Sequence, residues 1–217
     1  MNYCKQLFVL LFLFVISCKK ENPQQETNNL FKFKEYIYYT TSGVVSVTEP
    51  IQIGLGKDVE KWATETTISD KIITISPSVK GKLQATNSRT LVLKPEENLN
   101  PNTEYSVTVH LSKIYPNVPS EFKNYTFKFK TIEPNFTVNT GNLQSYSKEW
   151  QYLEGIVRSA DILSLNKAIQ LISATQNGKK LAVKWQETTS PSTYHEFKID
   201  SIHRFKDDSE IEIKWSG

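Results

Sequence analysis

The chain has 217 residues, 38% of them hydrophobic and 12% aromatic, with a formal net charge of +3. That length supports one large or two small domains with real cores, and only Arg89, Arg158 and Arg204 among 26 basic residues are Arg, which argues against a dedicated nucleic-acid binder. Both cysteines, Cys4 and Cys18, lie at the N-terminus, which excludes a disulfide scaffold, a zinc ribbon or a thiol enzyme in the body of the chain.

The first element in chain order is an uninterrupted apolar run from Leu7 to Ile16, preceded by Lys5. It is about half of the roughly 20 residues that span a bilayer, so it reads as the hydrophobic region of a signal peptide covering residues 1–17. Val15-Ile16-Ser17-Cys18 resembles the lipobox of bacterial lipoproteins, with Val15 where leucine is usual. The resemblance implies transfer of diacylglycerol to the Cys18 sulfur, cleavage before Cys18 and acylation of the new amine. Each buried CH₂ contributes about 0.8 kcal/mol, and more than one acyl chain makes the anchoring stable. The expected partner is therefore a lipid bilayer, held through acylated Cys18. Lys19 follows that cysteine, and by analogy with the sorting of bacterial lipoproteins it favours the outer membrane of the cell envelope. Residues 18–29, polar and without periodicity, read as a flexible tether that reaches about 35–40 Å at ~3.3 Å per residue.

Beyond the tether the period is two. Phe31 and Phe33 alternate with lysines, and alternation recurs at Ile51–Leu55, Ile73–Ile75, Leu91–Leu93, Tyr105–Leu111 and Tyr125–Thr131. Ser76-Pro77, Lys80-Gly81, residues 98–102 and Tyr115-Pro116-Asn117 supply the turns between them. Short strands at this spacing predict a β-sandwich over residues 30–132, with the joint at Glu133-Pro134-Asn135. A second sandwich is predicted over residues 133–217, from Phe136-Thr137-Val138 and the alternating runs at 181–185, 197–199 and 210–215. In its middle, Leu165, Ala168, Ile169 and Ile172 fall at helical spacing after Ser164, predicting one short helix capped by Ser164 and ended by Asn177-Gly178. The predicted fold class is all-β, with two consecutive sandwiches.

Ile75-Ser76-Pro77 through Lys80-Gly81, then Leu91-Val92-Leu93-Lys94-Pro95, then Leu99-Asn100-Pro101-Asn102-Thr103-Glu104-Tyr105 resemble the ordered pattern of bacterial Ig-like domains. The pattern has a physical basis: Pro and Gly turn the chain between strands, while Leu and Tyr enter the core at a strand start. Upstream, Tyr39–Ser46 followed by Glu49-Pro50-Ile51-Gln52-Ile53 resembles the opening of bacterial alpha-2-macroglobulin family proteins. Leu153–Asp161, Trp185, His195–Arg204 and Ile213–Gly217 resemble the next macroglobulin-type domain of that family. The family implies a protease trap in which a bait segment is cut and a Cys–Gln thioester captures the protease. This chain departs from that machinery, since no cysteine follows Cys18 and no long bait region exists. The expectation is therefore a membrane-anchored, non-catalytic scaffold: the N-terminal portion of an alpha-2-macroglobulin-like endopeptidase inhibitor, ending at or near a truncation. Proteases would be partners only through a missing downstream part.

The alternative is a complete surface lipoprotein whose Ig-like domains bind a glycan or a protein through exposed aromatics such as Tyr38 or Trp62. Core packing and sheet-edge cover account for most of Trp62, Trp150, Trp185, Trp215 and the run Tyr36–Tyr39. His110, His195 and His203 lack metal-ligand spacing and read as solvated or hydrogen-bonded surface residues. Asp207-Asp208-Ser209-Glu210 lacks the glycine and spacing of a calcium loop and reads as a charged hairpin turn. Gly54-Leu55-Gly56-Lys57 is a strand ending in a turn rather than a phosphate loop, and no nucleophile elbow occurs. Neither a catalytic residue nor a cofactor or metal is expected; Cys18 is the one functional residue the sequence singles out.

Overall fold

The computed structural model describes residues 30–62 and 66–216. The signal peptide, Cys18 and the tether lie outside the described residues. The chain is all-β, and its first strands in order are β1 (Ile37–Thr40), β2 (Val44–Val45), β3 (Ile51–Leu55), β4 (Thr66–Thr67), β5 (Ile73–Ser76), β6 (Gly81–Asn87), β7 (Thr90–Pro95), β8 (Glu104–His110) and β9 (Asn124–Thr131). They form two sheets, ordered β1-β3-β7-β6-β4 and β2-β9-β8-β5. Every pairing is antiparallel except the parallel contact of β2 with β9, which lets the opening segment leave the first sheet after β1 and join the second.

Period-two alternation places the core between these sheets. Tyr125, Phe127, Phe129 and Thr131 on β9 and Tyr105, Val107 and Val109 on β8 point inward. They meet Ile51, Ile53, Leu83, Leu91 and Leu93 from the other sheet in one cluster of buried side chains. The Tyr105 and Phe129 rings stack at 5.3 Å with 12° between their planes. The Tyr105 hydroxyl accepts the Asn100 N–H at 2.9 Å, and the Thr131 hydroxyl donates to the Asn100 carbonyl at 2.6 Å. Two buried hydroxyls thus fix the loop at residues 98–103, whose Leu99 enters the core as the turn pattern predicts.

Phe31 and Phe33 do not form a strand. Residues 30–32 are helical, with the Phe33 N–H bonded to the Leu30 carbonyl at 3.1 Å and the Ile37 N–H to the Phe33 carbonyl at 2.9 Å. Phe33 caps the open end of the sandwich against Phe122 and Tyr125, while Phe31 stays exposed. A single aromatic plug suffices there, so the segment has no sheet partner to extend towards.

The second half comprises β10 (Phe136–Thr140), β11 (Gln144–Ser145), β12 (Trp150–Leu163), helix α1 (Leu165–Leu171), β13 (Ile172–Gln176), β14 (Lys179–Lys180), β15 (Ala182–Trp185), β16 (Ser192–His203) and β17 (Ile211–Trp215). One sheet runs β10-β12-β16-β15, with β11 added on β12; the other runs β14-β13-β17. Ser164 occupies the N-cap position of α1, but its side chain makes no capping bond. The helix stops at Leu171, because Ile172 is already the first residue of β13 and buries itself in the sheet. Asn177-Gly178 therefore ends a strand rather than a helix. Both residues have positive φ, 47° and 77°, and they link β13 to β14 as the two-residue hairpin loop that Asn-Gly favours.

Residues 204–210 are not a hairpin turn either. They carry the chain from β16 in one sheet to β17 in the other. The buried Gln176 amide holds this crossing: its Nε2 donates to the His203 carbonyl at 2.8 Å and its Oε1 accepts the His203 N–H at 3.0 Å. The core here is thin. Among the described residues its cluster holds six buried side chains (Val157, Ile172, Ala174, Phe197, Ile199 and Ile202) against twenty-four in that of the first sandwich, so the second half depends more on its attachments.

Replacing Tyr105 by Phe removes only the hydroxyl and leaves the Asn100 N–H without its acceptor. The expected loss is about 1–3 kcal/mol of stability, read as a lower midpoint in chemical denaturation with an unchanged slope.

Candidate functional site

Two features could carry function: the joint between the two halves, and the outward face of the β10-β12-β16-β15 sheet. The joint is built from the far end of β12, a strand of 14 residues. Its Asp161 carboxylate accepts the Ser46 hydroxyl at 2.6 Å through Oδ1 and the Val47 N–H at 2.7 Å through Oδ2. Oδ1 also accepts the Ile162 N–H at 2.8 Å. Ile162 packs against the core of the first sandwich, and the Ala160 N–H bonds back to the Asn135 carbonyl at 2.8 Å. A groove of about 460 Å³ runs along this joint between Leu99, Pro101, Ile132, Phe136, Leu163 and Leu171. Its lining is mostly apolar; its polar side chains include Asp161 and Ser159, both engaged in hydrogen bonds, and Lys167.

On the outward sheet face the rings form two connected sets. Trp150 on β12 sits opposite His203 on β16, with ring centroids 5.0 Å apart and planes at 83°. His203 in turn meets Phe205 at 4.6 Å. Beside them, Tyr152 packs tilted against Tyr146 at 5.9 Å and lies beneath the Lys198 ammonium at 3.9 Å. The Arg204 guanidinium bonds the Ser145 hydroxyl and ties the two sets together. Tyr146, Phe205 and Trp150 are 53%, 47% and 37% exposed, so this face offers ring surface to solvent. Further along, Lys184 pairs with Asp200 at 2.5 Å, which raises the Lys184 pKa and lowers that of Asp200. The Tyr194 hydroxyl donates to Glu196 at 2.7 Å, and that bond raises the Tyr194 pKa.

The histidines do not converge. His110 bridges Thr74 at 2.8 Å and Asn124 at 2.7 Å across its sheet, in keeping with a hydrogen-bonded surface residue. His195 is not at the surface. It is 1% exposed, and its Nε2 donates to the carbonyls of Leu163 and Ser192 at 3.0 and 3.1 Å. The alternation of β16 turns it inward beside Phe197 and Ile199, and eight residues of extended chain separate it from His203 by about 25 Å. Among the described residues no group of His, Cys, Asp and Glu could hold a metal ion. No helix among them is long and apolar enough to cross a membrane. Trp62 is 8% exposed and belongs to the core, so it offers no stacking surface, whereas Tyr38 is 76% exposed.

A polar cluster on the first sandwich also falls short of chemistry. The Arg89 guanidinium bonds Asp58 at 2.5 Å and the Ser88 hydroxyl donates to it at 2.6 Å, bringing the Asp58 pKa down to about 2. Nearby, burial pushes the Tyr115 hydroxyl up to about 12, and it donates to the Lys57 carbonyl at 2.7 Å. Together they pin the turn after β3 to the hairpin between β6 and β7 and to the segment between β8 and β9.

Residues 39–131 match the family model of the bacterial Ig-like domain. That match covers the first sandwich from β1 to β9. No curated protein matches the chain. Solved structures with some likeness include L,D-transpeptidase 3 from Mycobacterium tuberculosis, 12% identical over 54% of this chain and 44% of that one, with a TM-score of 0.32. An L,D-transpeptidase from Mycobacterium smegmatis is 11% identical over 72% of this chain and 56% of that one, again at 0.32. The chain thus spans about half the length of these two enzymes. Another L,D-transpeptidase, from Mycobacterium tuberculosis H37Rv, is 10% identical over 79% and 76% of the two chains, with a TM-score of 0.33. At these values no residue role transfers from those enzymes to this chain.

The ring cluster was legible only in part. Trp150 and His203 stood out as residue types, but their pairing depends on the register of β12 with β16, which is irregular between Gln151 and Leu153. Asp161 gave no signal, because a lone Asp late in a strand is unremarkable until Ser46 and Val47 are seen against it.

Two measurements check these assignments. Asp161→Ala strips the acceptor from the Val47 N–H and the Ser46 hydroxyl, and charge-assisted bonds of this kind contribute about 1.5–3 kcal/mol each. Calorimetry of the variant should resolve an earlier transition for the thin second half. Asp58 is a carboxylate with a depressed pKa, so its contribution is whole above the ordinary carboxylate value of 3.8 and disappears as pH falls through about 2. An NMR titration should place its midpoint near 2, and Arg89→Ala should return it towards 3.8.

Proposed function

We propose that this chain is a lipid-anchored, non-catalytic scaffold of the bacterial cell envelope. Acylated Cys18 holds it to the membrane, residues 19–29 serve as the tether, and two β-sandwiches project beyond. The observation that supports this reading most directly is the Asp161 joint. A 14-residue strand that ends as a hydrogen-bonded clasp on the neighbouring sandwich suits a stiff spacer. The Ig-like match over residues 39–131 supports it too. The outer membrane is the proposed location, on the analogy of Lys19 after the acylated cysteine.

The finer proposal is that these sandwiches are the scaffold part of an alpha-2-macroglobulin-like endopeptidase inhibitor. It rests on the resemblance of Tyr39–Ile53 and of Leu153–Asp161 to that family, and the Ig-like match supports its first half. With neither thioester nor bait segment in this sequence, the chain by itself leaves proteases uninhibited. Trypsin and elastase activities on a peptide and on a protein substrate should be unchanged by excess purified chain, and dose-dependent protection of the protein substrate would refute this.

The exposed ring cluster favours a second reading, in which the scaffold also contacts a glycan or a protein. Trp150, Phe205 and Tyr146 offer the stacking surface that Trp62 does not. Trp150→Ala should then abolish retention on the relevant glycan or protein array while leaving the melting temperature within a few degrees of the parent.

The anchoring claim has its own test. Cys18→Ala should move the protein from the membrane pellet to the soluble fraction, with loss of labelling by an alkyne fatty acid. Equal retention of that variant in the pellet would overturn it.

A further inference from the structure

The last strand, β17, lies at one edge of the β14-β13-β17 sheet, and among the described residues nothing pairs with its outer side. The Asn177 N–H bonds the Glu210 carbonyl and the Ser216 N–H bonds the Leu171 carbonyl, so even-numbered residues of this segment turn their backbone groups towards β13. In an antiparallel ladder the direction alternates, which sends the N–H and C=O of Ile211, Ile213 and Trp215 outward. Of the usual blocking devices the edge carries only charged side chains, Glu212 and Lys214 on its solvent face. Ile211–Trp215 pairs with β13 without a bulge, contains no proline and directs no charge inward. Five other edges are guarded: β1 is bulged between Ile37 and Tyr39, β5 stops before Pro77, and β2, β4 and β14 are two residues long; β10 and β15 are open as well, but neither carries an acid and a base about a central apolar residue.

The side chains on this edge complement a second copy of themselves. We propose that β17 pairs antiparallel with β17 of another copy of this chain, centred on Ile213, to join the two three-stranded sheets into one. In that register Ile213 meets Ile213, Ile211 meets Trp215, and Glu212 meets Lys214 twice. The three outward residues fall in the hydrogen-bonded pairs, so every outward N–H and C=O of Ile211, Ile213 and Trp215 finds a partner. Glu212 and Lys214 fall in the non-hydrogen-bonded pairs, where side chains come closest. In the single chain these two bond each other at 3.0 Å on the solvent face, ready to exchange partners. The register also accounts for Trp215. It stands opposite Ile172, on the core side of the sheet, yet is 57% exposed, and in the pair it covers Ile211 of the second copy.

Charge exchange tests the register on the full chain in mild detergent, by sedimentation equilibrium over a concentration series. The parent protein should show a monomer–dimer equilibrium. Glu212→Lys alone sets lysine against lysine and Lys214→Glu alone sets glutamate against glutamate, and each should weaken dimerisation by roughly tenfold or more. Mixing the two single variants should restore the pair as a heterodimer, and the double variant E212K/K214E should associate like the parent. Restoration by mixing also shows that neither variant is misfolded. A parent protein that stays monomeric throughout the series, single variants that dimerise as well as the parent, or a mixture that fails to recover would each overturn the proposal.

Discussion

The Asp161 carboxylate spans the boundary between two cores of unequal size. It accepts one hydroxyl and one backbone N–H from the first sandwich and one N–H from its own strand, so the end of β12 is fixed in direction as well as position. Fixing that end sets the rest of the second half. β12 is the spine on which β10, β11 and β16 are hung, and the register of each is counted from it. The six-residue core cluster beneath that sheet is small for an independent domain, and Ile162 adds apolar contact on the other side of the boundary. A small core held by a clasp is a different object from two beads on a string: bending at the joint costs hydrogen bonds that water would have to replace in a half-enclosed groove.

The buried polar groups repeat this logic at smaller scale. Thr131, Gln176 and His195 are the buried polar side chains among the described residues, and each bonds backbone at a place where regular pairing stops. Thr131 closes the loop before β8, Gln176 spans the passage from β16 to β17, and His195 satisfies the carbonyls of Leu163 and Ser192 where β12 and β16 lose their register. A sandwich hydrogen-bonds its own ladders, so the backbone left over at crossings must be met by side chains or water. Interior polarity here therefore marks the exits from sheets, and none of it converges on a reactive centre.

This distribution explains what the sequence revealed and what it concealed. Strands such as Tyr125–Thr131 were legible because one buried face and one wet face leave a strict alternation in a single segment. The ordered turns of the Ig-like pattern were legible for a related reason, since proline, glycine and asparagine report local backbone directly. Phe31 and Phe33 show the limit of that signal. Two aromatics two residues apart satisfy an alternation rule, yet the chain there is helical because Phe33 plugs the sandwich end and no neighbouring strand is available. Asn177-Gly178 was a turn as expected, but the elements on either side of it depend on where Ile172 finds burial, a tertiary fact. The inward direction of His195 follows from the phase of β16, which polar neighbours on both sides obscure, so residue type alone places it at the surface.

Edges are where the two levels meet. Alternation shows that Ile211, Ile213 and Trp215 share a face, but only the ladder with β13 shows that their backbone groups point away from it. The same parity that gives β17 an apolar side towards its own core gives it a backbone side towards a partner, and Glu212 and Lys214 are placed symmetrically about Ile213. A pattern of one acid and one base spaced by a single apolar residue is common on exposed strands, where it has little consequence. On an open edge free of bulge and proline it becomes self-recognition, because an antiparallel two-fold axis through Ile213 maps each charge onto its opposite. The wet face of an edge strand thus sets which neighbour the sheet accepts, while the dry face sets how the chain folds.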